Sequence, residues 1–393
     1  MDSIQSNKIN LNKKKILLRL DLNVPLENGK ITDTNRIDKI IPTIEFLLKK
    51  NSKIVIASHV GRPKGKNISS LSLKPICEMI SKKIGQKVFF INKNLETLSK
   101  EDIFKNDKEN IVMLENIRFY KGEEKNDKEF GKKLASFAEI YVNDAFSCSH
   151  RSHASIVQIP NLLPSFCGLQ LNSEINALKK ITSQIEKPIT CIIGGSKIST
   201  KIEVINNLIK KFNNIVLVGG MANTILKFQG IKIGKSIHEE NCDSIIQSIF
   251  DYSKKFDCKI LCPKDVITST KLDEKGVLKN LDKIEENDMI LDIGPLTIKE
   301  INKIIDNSKT VLWNGPAGYF ENPNFEKGSL EIAKKISKNT KENKIYSVAG
   351  GGDTVAIINK HKMMKSFNFV STAGGAFLEF LEGKVLPGIK ALE

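Results

Sequence analysis

Arginine is rare in this chain, and its few positions point to chemistry. The 393 residues contain 61 lysines and arginines, of which only five are arginines, and all five precede residue 152. They are Arg19, Arg36, Arg62, Arg118 and Arg151. A planar guanidinium grips the oxygens of a carboxylate or phosphate in a fixed fork that lysine cannot reproduce. The retained arginines therefore predict a site for a small anion in the first half of the chain.

Every arginine except Arg36 lies at or just past the end of an apolar, β-rich segment. In parallel α/β sheets the ligand binds beyond the carboxyl ends of the strands, so these positions favour ligand contacts. Asp21, Asn23 and His59 occupy the same kind of position. His150 and His153 flank the last arginine, and for them a ligand contact and a structural hydrogen bond are equally open.

In the second half of the chain, glycines rather than arginines follow the predicted strands. Glycine-containing turns follow six predicted strands, at 194–195, 219–220, 294, 315–318, 350–352 and 374–375. Such turns let backbone N–H groups approach an anion at a helix N-terminus. We therefore expect a phosphate-bearing ligand here, with Lys197 and Lys201 meeting phosphates and Asp353 meeting a magnesium ion.

The elements that must position these residues alternate between strand and helix. The predicted strands are 15–20, 53–58, 87–91, 110–114, 138–143, 189–193, 214–218, 259–262, 288–292, 309–313, 344–349 and 367–371, and helical periodicity marks 34–49, 72–84, 199–211, 297–306 and 326–338. Alternation of this kind predicts parallel sheets covered on both faces. About a dozen strands are more than one twisted sheet usually contains, so we predict two doubly wound α/β domains. The polar, helix-like stretch 172–187, before Pro188, is the expected boundary.

Composition narrows the function classes. The formal net charge of +16 would attract polyanions, but the lysines are scattered and no RNA-binding aromatic motif, helix-turn-helix or basic tail is found. We therefore expect a small anionic substrate and no nucleic-acid partner. No apolar run approaches the ~20 residues of a membrane span, and no secretory signal begins the chain. Seven cysteines without framework spacing indicate reduced thiols and a cytoplasmic location.

Three familiar motifs are absent or incomplete. The pattern His238, Cys242, Cys258 and Cys262 has loose spacing for zinc, and core cysteines explain it better. The segment GIKIGKS at 230–236 is one residue short of a Walker A loop and follows a helix-like stretch. No G-x-G-x-x-G follows a strand, so a dinucleotide-binding domain is unsupported.

Ten segments, in order along essentially the whole chain, resemble motifs of the phosphoglycerate kinase family. They read RLDLNVP, SHVGRPKG, LENIRF, NDAFSCSHRSHAS, GGSKISTKIEV, VGGMANT, LDIGP, WNGPAGYFE, AGGGDT and STAGGAFLEFLEGKVLPG. The resemblance implies two domains that face each other across a cleft and are joined by a hinge. Residues 1–173 would bind phosphoglycerate, 174–375 would bind nucleotide, and the tail 376–393 would pack back on the first domain.

The same resemblance implies the activity. It is the reversible, Mg²⁺-dependent transfer of a phosphoryl group between 1,3-bisphosphoglycerate and ADP, giving 3-phosphoglycerate and ATP in glycolysis, by a monomer. The residues implied to bind phosphoglycerate are Asp21, Asn23, Arg36, His59, Arg62, Arg118 and Arg151. Those implied to bind the nucleotide are Lys201, Gly219, Asn314, Pro316, Glu321, Gly351, Gly352, Asp353 and Thr354, with Asp353 near the metal and Glu321 on the ribose. Those implied to act on the phosphoryl group in transfer are Arg36, Lys197, Gly374 and Gly375.

Two departures from the family pattern leave alternatives open. Ala373 stands where the family usually has glycine, and a positive φ there would strain the site; we expect an ordinary φ. Ser147 and Cys148 also differ from the common residues and are expected to be peripheral. The rival functions are a non-catalytic anion- or nucleic-acid-binding protein descended from the enzyme, and a phosphotransferase for another small acid.

Overall fold

A computed structural model describes residues 1–6, 9–27, 29–105 and 109–393. The chain divides into two compact units. Unit 1 is Met1–Asn176 with Val385–Glu393, and unit 2 is Ala177–Lys384. The boundary falls inside one long helix, within the stretch 172–187 where the sequence predicts it.

The division differs from the sequence expectation at the C-terminus. Residues 376–384 belong to unit 2, so the segment that joins unit 1 starts at Val385 and not at 376. Phe377 and Leu381 explain the difference, because both side chains are fully buried within unit 2. The Phe377 ring lies against Gly350, and Asn207 donates a hydrogen bond to the Leu381 carbonyl at 2.6 Å.

Unit 1 is built on a six-stranded parallel sheet with strand order β5-β6-β4-β1-β7-β8. The strands of the unit are β1 (Lys15–Leu20), β2 (Leu26–Glu27), β3 (Lys30–Ile31), β4 (Lys53–Ala57), β5 (Phe89–Ile91), β6 (Ile111–Leu114), β7 (Ile140–Asp144) and β8 (Ser165–Cys167). Strands β2 and β3 form a separate two-stranded hairpin. The helices are α1 (Asn35–Lys49), α2 (Lys74–Ile84), α3 (Lys121–Glu124), α4 (Lys128–Ala135) and α5 (Leu169–Thr182).

Unit 2 repeats this architecture with the parallel order β11-β10-β9-β15-β16-β17. Its strands are β9 (Ile189–Ile193), β10 (Asn214–Leu217), β11 (Lys259–Leu261), β12 (Asp265–Ser269), β13 (Val277–Asn280), β14 (Met289–Ile293), β15 (Thr310–Asn314), β16 (Tyr346–Gly350) and β17 (Phe369–Ser371). Its helices are α6 (Ile202–Ile209), α7 (Gly220–Phe228), α8 (Asp243–Lys255), α9 (Pro295–Asp306), α10 (Lys327–Lys341), α11 (Gly352–Lys360) and α12 (Gly375–Leu381); α13 (Pro387–Lys390) returns to unit 1.

The prediction of two parallel sheets is confirmed, and burial explains it. All residues of β9 and β15 are buried, because helices cover both faces of a parallel sheet. The core of unit 2 gathers around Trp313, which is fully buried. The core of unit 1 packs between its sheet and helices such as α1 and α2.

One predicted strand belongs to a different sheet. The segment 288–292 forms most of β14, which pairs antiparallel with β12 in a three-stranded sheet of order β13-β12-β14. The sequence does not reveal this sheet because β13 is mostly exposed and lacks the continuous apolar run of a buried strand. In the part of the chain that the structure describes, no helix is both long and apolar enough to cross a membrane.

Candidate functional site

The strand order of unit 1 brings distant loops together. Strand β1 pairs with β4 on one side and β7 on the other, so their carboxyl ends are neighbours. Asp21 follows β1 and accepts hydrogen bonds from Arg36 at the start of α1 and from the Ser147 hydroxyl after β7. Asn23 accepts one from the Gly61 N–H after β4, at 2.9 Å. Loops that are far apart in sequence therefore form one polar edge.

Three other arginines differ in how many hydrogen bonds and ion pairs their guanidinium groups make within the protein. Arg118 is 5% exposed and donates to the Gly61 carbonyl at 3.0 Å, while its Nε, 3.8 Å from a Glu124 oxygen, has no hydrogen-bond acceptor. Arg62 and Arg151 are exposed, and their side chains make no hydrogen bond or ion pair with any residue that the structure describes. Arg62 and Arg151 give the edge positive charge that is not paired with an acidic side chain among the described residues, which suits an anionic ligand.

Arg19 does not share this arrangement. It lies within β1, is fully buried, and uses its donors inside the protein, with Ser155 Oγ at 2.8 Å and His59 Nδ1 at 3.2 Å among its partners. The expectation that its fork grips a ligand, which followed from its place at a strand end, is wrong for this residue. Arg19 is the side chain behind the ligand-facing groups.

Three side chains of the types that bind metal ions lie close together in unit 1, surrounded by arginines. Atoms of Asp21, His59 and Cys148 lie within 4.8 Å of one another, the single such group of three among the described residues. Arg19 Nη2 donates to both His59 and Cys148, and Arg36 donates to Asp21. Burial and the neighbouring Arg19 and Arg118 hold the pKa of His59 well below its usual range.

This cluster also corrects two sequence expectations. Ser147 and Cys148 are not peripheral, because the one donates to Asp21 and the other accepts from Arg19. They lie in the turn that follows β7, beside β1 in the sheet. In the zinc-like pattern, Cys242 and Cys258 are buried and Cys262 is partly buried, and His238 hydrogen-bonds with Glu240 at 2.6 Å.

In unit 2 the ends of β9, β15 and β16 are joined by polar contacts. Lys201 Nζ donates to Asn314 Oδ1 at 2.7 Å and also to the Gly194 carbonyl. Asn314 Nδ2 donates to the Gly350 carbonyl at 2.7 Å. Burial lowers the pKa of Lys201 to about 8. These bonds hold a partly buried ammonium group among three strand ends.

At two positions only glycine fits, because another backbone segment lies too close for a Cβ atom. Gly315 has a φ of 107°, and a Cβ there would lie 2.4 Å from the Gly194 carbonyl oxygen. A Cβ on Gly194 would in turn lie 2.1 Å from the Pro316 carbonyl oxygen. The Gly315 N–H donates to Thr354 Oγ1 at 2.6 Å, which ties this crossing to α11. Gly219 and Gly351 precede the first residues of α7 and α11, so both helix N-termini start beside this crossing.

A cavity of about 570 Å³ opens next to these helix N-termini. Four of the residues implied to bind the nucleotide line it, namely Gly219, Pro316, Glu321 and Asp353. Lys201, Asn314 and Thr354 connect to its wall through the bonds described above. The cavity size suits a small-molecule ligand, and helix N-termini favour a ligand that carries phosphate.

No sequence motif predicted the residues that form the apolar half of the cavity. Its wall includes Ile237, Leu272, Met289, Leu291 and Tyr319, most of them from or next to the antiparallel sheet. Lys235 also lines it, from the incomplete Walker-like segment at 230–236. A lysine beside glycines was the available signal, but lysine is too abundant in this chain for one position to stand out.

The remaining predicted residues lie on loops and helix starts of unit 2. Lys197 is exposed in the loop after β9. Gly374 has a φ of 54° and precedes α12, of which Gly375 is the first residue. Ala373 is buried and is not among the described residues with positive φ. The left-handed conformation therefore falls on a glycine, and Ala373 is accommodated as expected.

Comparison with known proteins agrees with this arrangement. The sequence model of the family "Phosphoglycerate kinase" matches residues 6–384. The phosphoglycerate kinase of Wolbachia pipientis subsp. Culex pipiens (strain wPip) is 44% identical over 380 residues, 96% of each chain. That of Caulobacter vibrioides (strain NA1000 / CB15N) is 42% identical over 383 residues, covering 97% of this chain and 96% of that one.

Solved structures give the same result. The phosphoglycerate kinase of Coxiella burnetii superposes with a TM-score of 0.89 at 39% identity, over 99% of this chain and 98% of that one. That of Pyrococcus horikoshii OT3 superposes with a TM-score of 0.84 at 27% identity, over 100% and 98% of the two chains. The family model and these relatives, together with the two parallel sheets, show that the chain belongs to the phosphoglycerate kinase family.

Proposed function

We propose that the chain transfers a phosphoryl group between 1,3-bisphosphoglycerate and ADP, with unit 1 holding the phosphoglycerate and unit 2 the nucleotide. The observation that carries this division is the difference between the two strand-end edges. In unit 1 side-chain guanidinium groups dominate, including the uncommitted Arg62 and Arg151. In unit 2 glycine backbone and helix N-termini dominate, beside a cavity of about 570 Å³.

The phosphoglycerate carries a phosphate at one end and a carboxyl group at the other, so it needs several cationic contacts. Arg62, Arg118 and Arg151 bind its oxygens in the proposed complex. Asp21 and Asn23 accept from its hydroxyl group and order the loop between them, since the Asn23 N–H already donates to Asp21 at 3.2 Å. His59, whose pKa is lowered by burial and by the arginines around it, is neutral and donates one hydrogen bond.

The nucleotide occupies the cavity of unit 2. Its base packs on the apolar wall and on Pro316, and Glu321 accepts from a ribose hydroxyl. Its phosphates lie near Lys201, Gly219 and the 351–354 loop at the start of α11, where backbone N–H groups and the helix dipole favour negative charge. Asn314 keeps the Lys201 ammonium directed to this edge through their 2.7 Å hydrogen bond.

Asp353 is the residue suited to a magnesium ion. It is exposed in the first turn of α11 and lines the cavity, and Mg²⁺ typically takes one or two carboxylates together with substrate phosphates and water. When bound, the ion would neutralise charge on the phosphates. A single carboxylate at the phosphate end of the cavity fits this donor set.

The transfer itself requires positioning and neutralisation of charge. In the direction of ATP use, a carboxylate oxygen of 3-phosphoglycerate forms a bond to the γ-phosphorus as the bond to the β,γ-bridging oxygen breaks, and ADP leaves with that electron pair. No proton transfer is required. Arg36, Lys197 and the N–H groups of Gly374 and Gly375 stabilise the equatorial oxygens of the moving group. The two ligands must meet for this step, so water has to be excluded around them.

A coupled assay with 3-phosphoglycerate, ATP and Mg²⁺ tests the proposal. We expect ADP to form only when the acid, the nucleotide and the metal ion are all present. The variant Lys197→Ala should lose most of the rate, whereas Lys283→Ala, which removes an exposed lysine elsewhere, should not. Turnover with another small acid in place of 3-phosphoglycerate would favour the rival phosphotransferase, and ligand binding without turnover would favour the non-catalytic binder.

A further inference from the structure

Arg19 is the centre of a fully buried polar network in unit 1. Its Nε donates to Ser155 Oγ at 2.8 Å, and its Nη1 donates to the Leu20 carbonyl. Its Nη2 faces His59 Nδ1 at 3.2 Å and Cys148 Sγ at 3.8 Å. Each of the three nitrogens of the guanidinium is directed at a defined protein atom, so the side chain has little freedom to reorient.

Glu123, at the end of α3, compensates the charge of Arg19 and fixes its main partner. Glu123 is fully buried, with Oε1 4.0 Å from Arg19 Nη2. It accepts from the Ser155 N–H at 2.9 Å and from the Ser155 hydroxyl at 2.6 Å. The Ser155 hydroxyl proton is therefore directed to Glu123, which leaves the oxygen lone pairs to accept from Arg19.

This arrangement decides where the proton of His59 resides. An arginine side chain has only donors, so the nitrogen facing Nη2, which is Nδ1, must be an unprotonated acceptor. The charged and titratable groups around the imidazole are Arg19 on β1, Asp21 after β1, Arg118 after β6, Arg36 on α1, and His153 and Cys148 after β7. The three arginines oppose a second proton on the ring, and the Asp21 carboxylate already accepts a hydrogen bond from Arg36. One proton remains, and Nε2 is the site left for it.

We propose that Arg19 is a positioning residue that holds His59 as the neutral tautomer with its proton on Nε2, and that Glu123 keeps Arg19 in place through Ser155. The His59 Nε2–H has no hydrogen-bond partner among the described residues, so it is available as a donor. The opposite tautomer would present a lone pair to an anion and repel it. The proposal rests on the proposed function only where it assigns this donor to an oxygen of phosphoglycerate.

The tautomer can be measured in the unmodified protein. The chain has five histidines, so ¹⁵N-histidine labelling gives a small set of imidazole signals, and the spectrum of His59→Gln identifies those of His59. We expect an unprotonated Nδ1 and a protonated Nε2 that stay unchanged from about pH 6 to 8, where an ordinary histidine titrates. A protonated Nδ1, or a doubly protonated ring in this range, would overturn the proposal.

Variants test whether Arg19 and Glu123 cause this state. The double variant Arg19→Met/Glu123→Gln removes both buried charges together, and we expect His59 to populate both tautomers or to titrate. Glu139→Gln is the matched control, because Glu139 pairs with Lys14 on the surface of the same unit. We expect KM for 3-phosphoglycerate to rise about 10-fold, as for loss of a hydrogen bond to a charged group, with KM for ATP unchanged. An unchanged His59 spectrum in a folded double variant would contradict the role of Arg19.

The outcomes separate this inference from the proposed function. If His59→Gln binds 3-phosphoglycerate as tightly as the wild type while His59 has the expected tautomer, the ligand assignment fails and the positioning role stands. If the double variant does not fold, the wild-type spectrum decides on the tautomer. Glu123→Gln, which keeps the shape and one of the two acceptor oxygens, then replaces it as the variant to be compared with Glu139→Gln.

Discussion

Lys201 and Asn314, 113 positions apart in sequence, are joined at 2.7 Å through Nζ and Oδ1. They come from the segment after β9 and from the last residue of β15, which are adjacent strands of the unit 2 sheet. The side-chain nitrogen of Asn314, Nδ2, donates to the Gly350 carbonyl on β16, so the asparagine cannot turn away. A partly buried ammonium group is thereby held at the edge where phosphates are proposed to bind.

Nucleotide binding should depend on pH through Lys201. Burial lowers its pKa to about 8, so the free protein loses this proton as the pH rises through 8. Bound phosphates favour the charged form, so binding above pH 8 should take up a proton and affinity should fall as the pH rises. Calorimetry of ATP binding at pH 9 in buffers of different ionisation enthalpy measures that uptake.

Two variants give the control for this prediction. Lys201→Met should bind ATP more weakly and without the proton uptake. Lys235→Met removes another lysine that lines the cavity and should keep the uptake. Equal proton uptake by Lys201→Met and the wild type would assign the effect to another group.

Because the pKa of Lys201 is lower in the folded chain than in the unfolded one, this residue should also make the wild type more stable as the pH rises above 8, up to the ordinary lysine pKa.

Arg36→Lys should lower kcat by roughly 10²-fold or more, in the range seen for arginines that stabilise a transferring phosphoryl group. Lysine keeps the charge but cannot offer two nitrogens, one to Asp21 and one to the phosphoryl oxygens. Steady-state kinetics with both substrates near saturation measure the change. A raised KM at near-normal kcat would show instead that Arg36 only binds substrate.

The division of ligands between the units predicts four binding results. Arg62→Ala and Arg118→Ala should weaken binding of 3-phosphoglycerate and leave ATP binding nearly unchanged. Lys201→Ala and Asp353→Ala should do the reverse. Titration calorimetry of each variant with each ligand separates the two effects, and circular dichroism checks folding. A folded variant that lost both ligands would contradict the division.

Ala373→Gly should not improve the enzyme. Ala373 does not have positive φ, so glycine relieves no strain and only adds freedom to the unfolded chain. We expect the free energy of unfolding to fall by about 0.4–1 kcal/mol and kcat to stay within about twofold. Thermal unfolding and the coupled assay measure both. A large gain in kcat with unchanged Tm would mean that the alanine methyl group restricts the phosphate-binding loop.

Sequence patterns alone determined the features of this protein that depend on residues close together in the chain, such as its strands and turns. Continuous apolar runs such as the fully buried β9 specify parallel strands, because such a strand is covered on both faces. Glycine after these strands and arginine near others indicate two kinds of strand-end edge, at which we propose that phosphates bind. The order of motifs was enough to indicate the family.

Tertiary structure decided which of those residues are committed inside the protein and which remain open at the strand-end edge. Arg19 and Arg118 both lie near strand ends, yet only the sheet and its buried neighbours show that Arg19 points into the network of Ser155 and Glu123. Ser147 joins the site because β7 pairs with β1, and the apolar wall exists because β12 pairs with β14. These contacts join residues far apart in the chain, and no local spacing encodes which strands become neighbours.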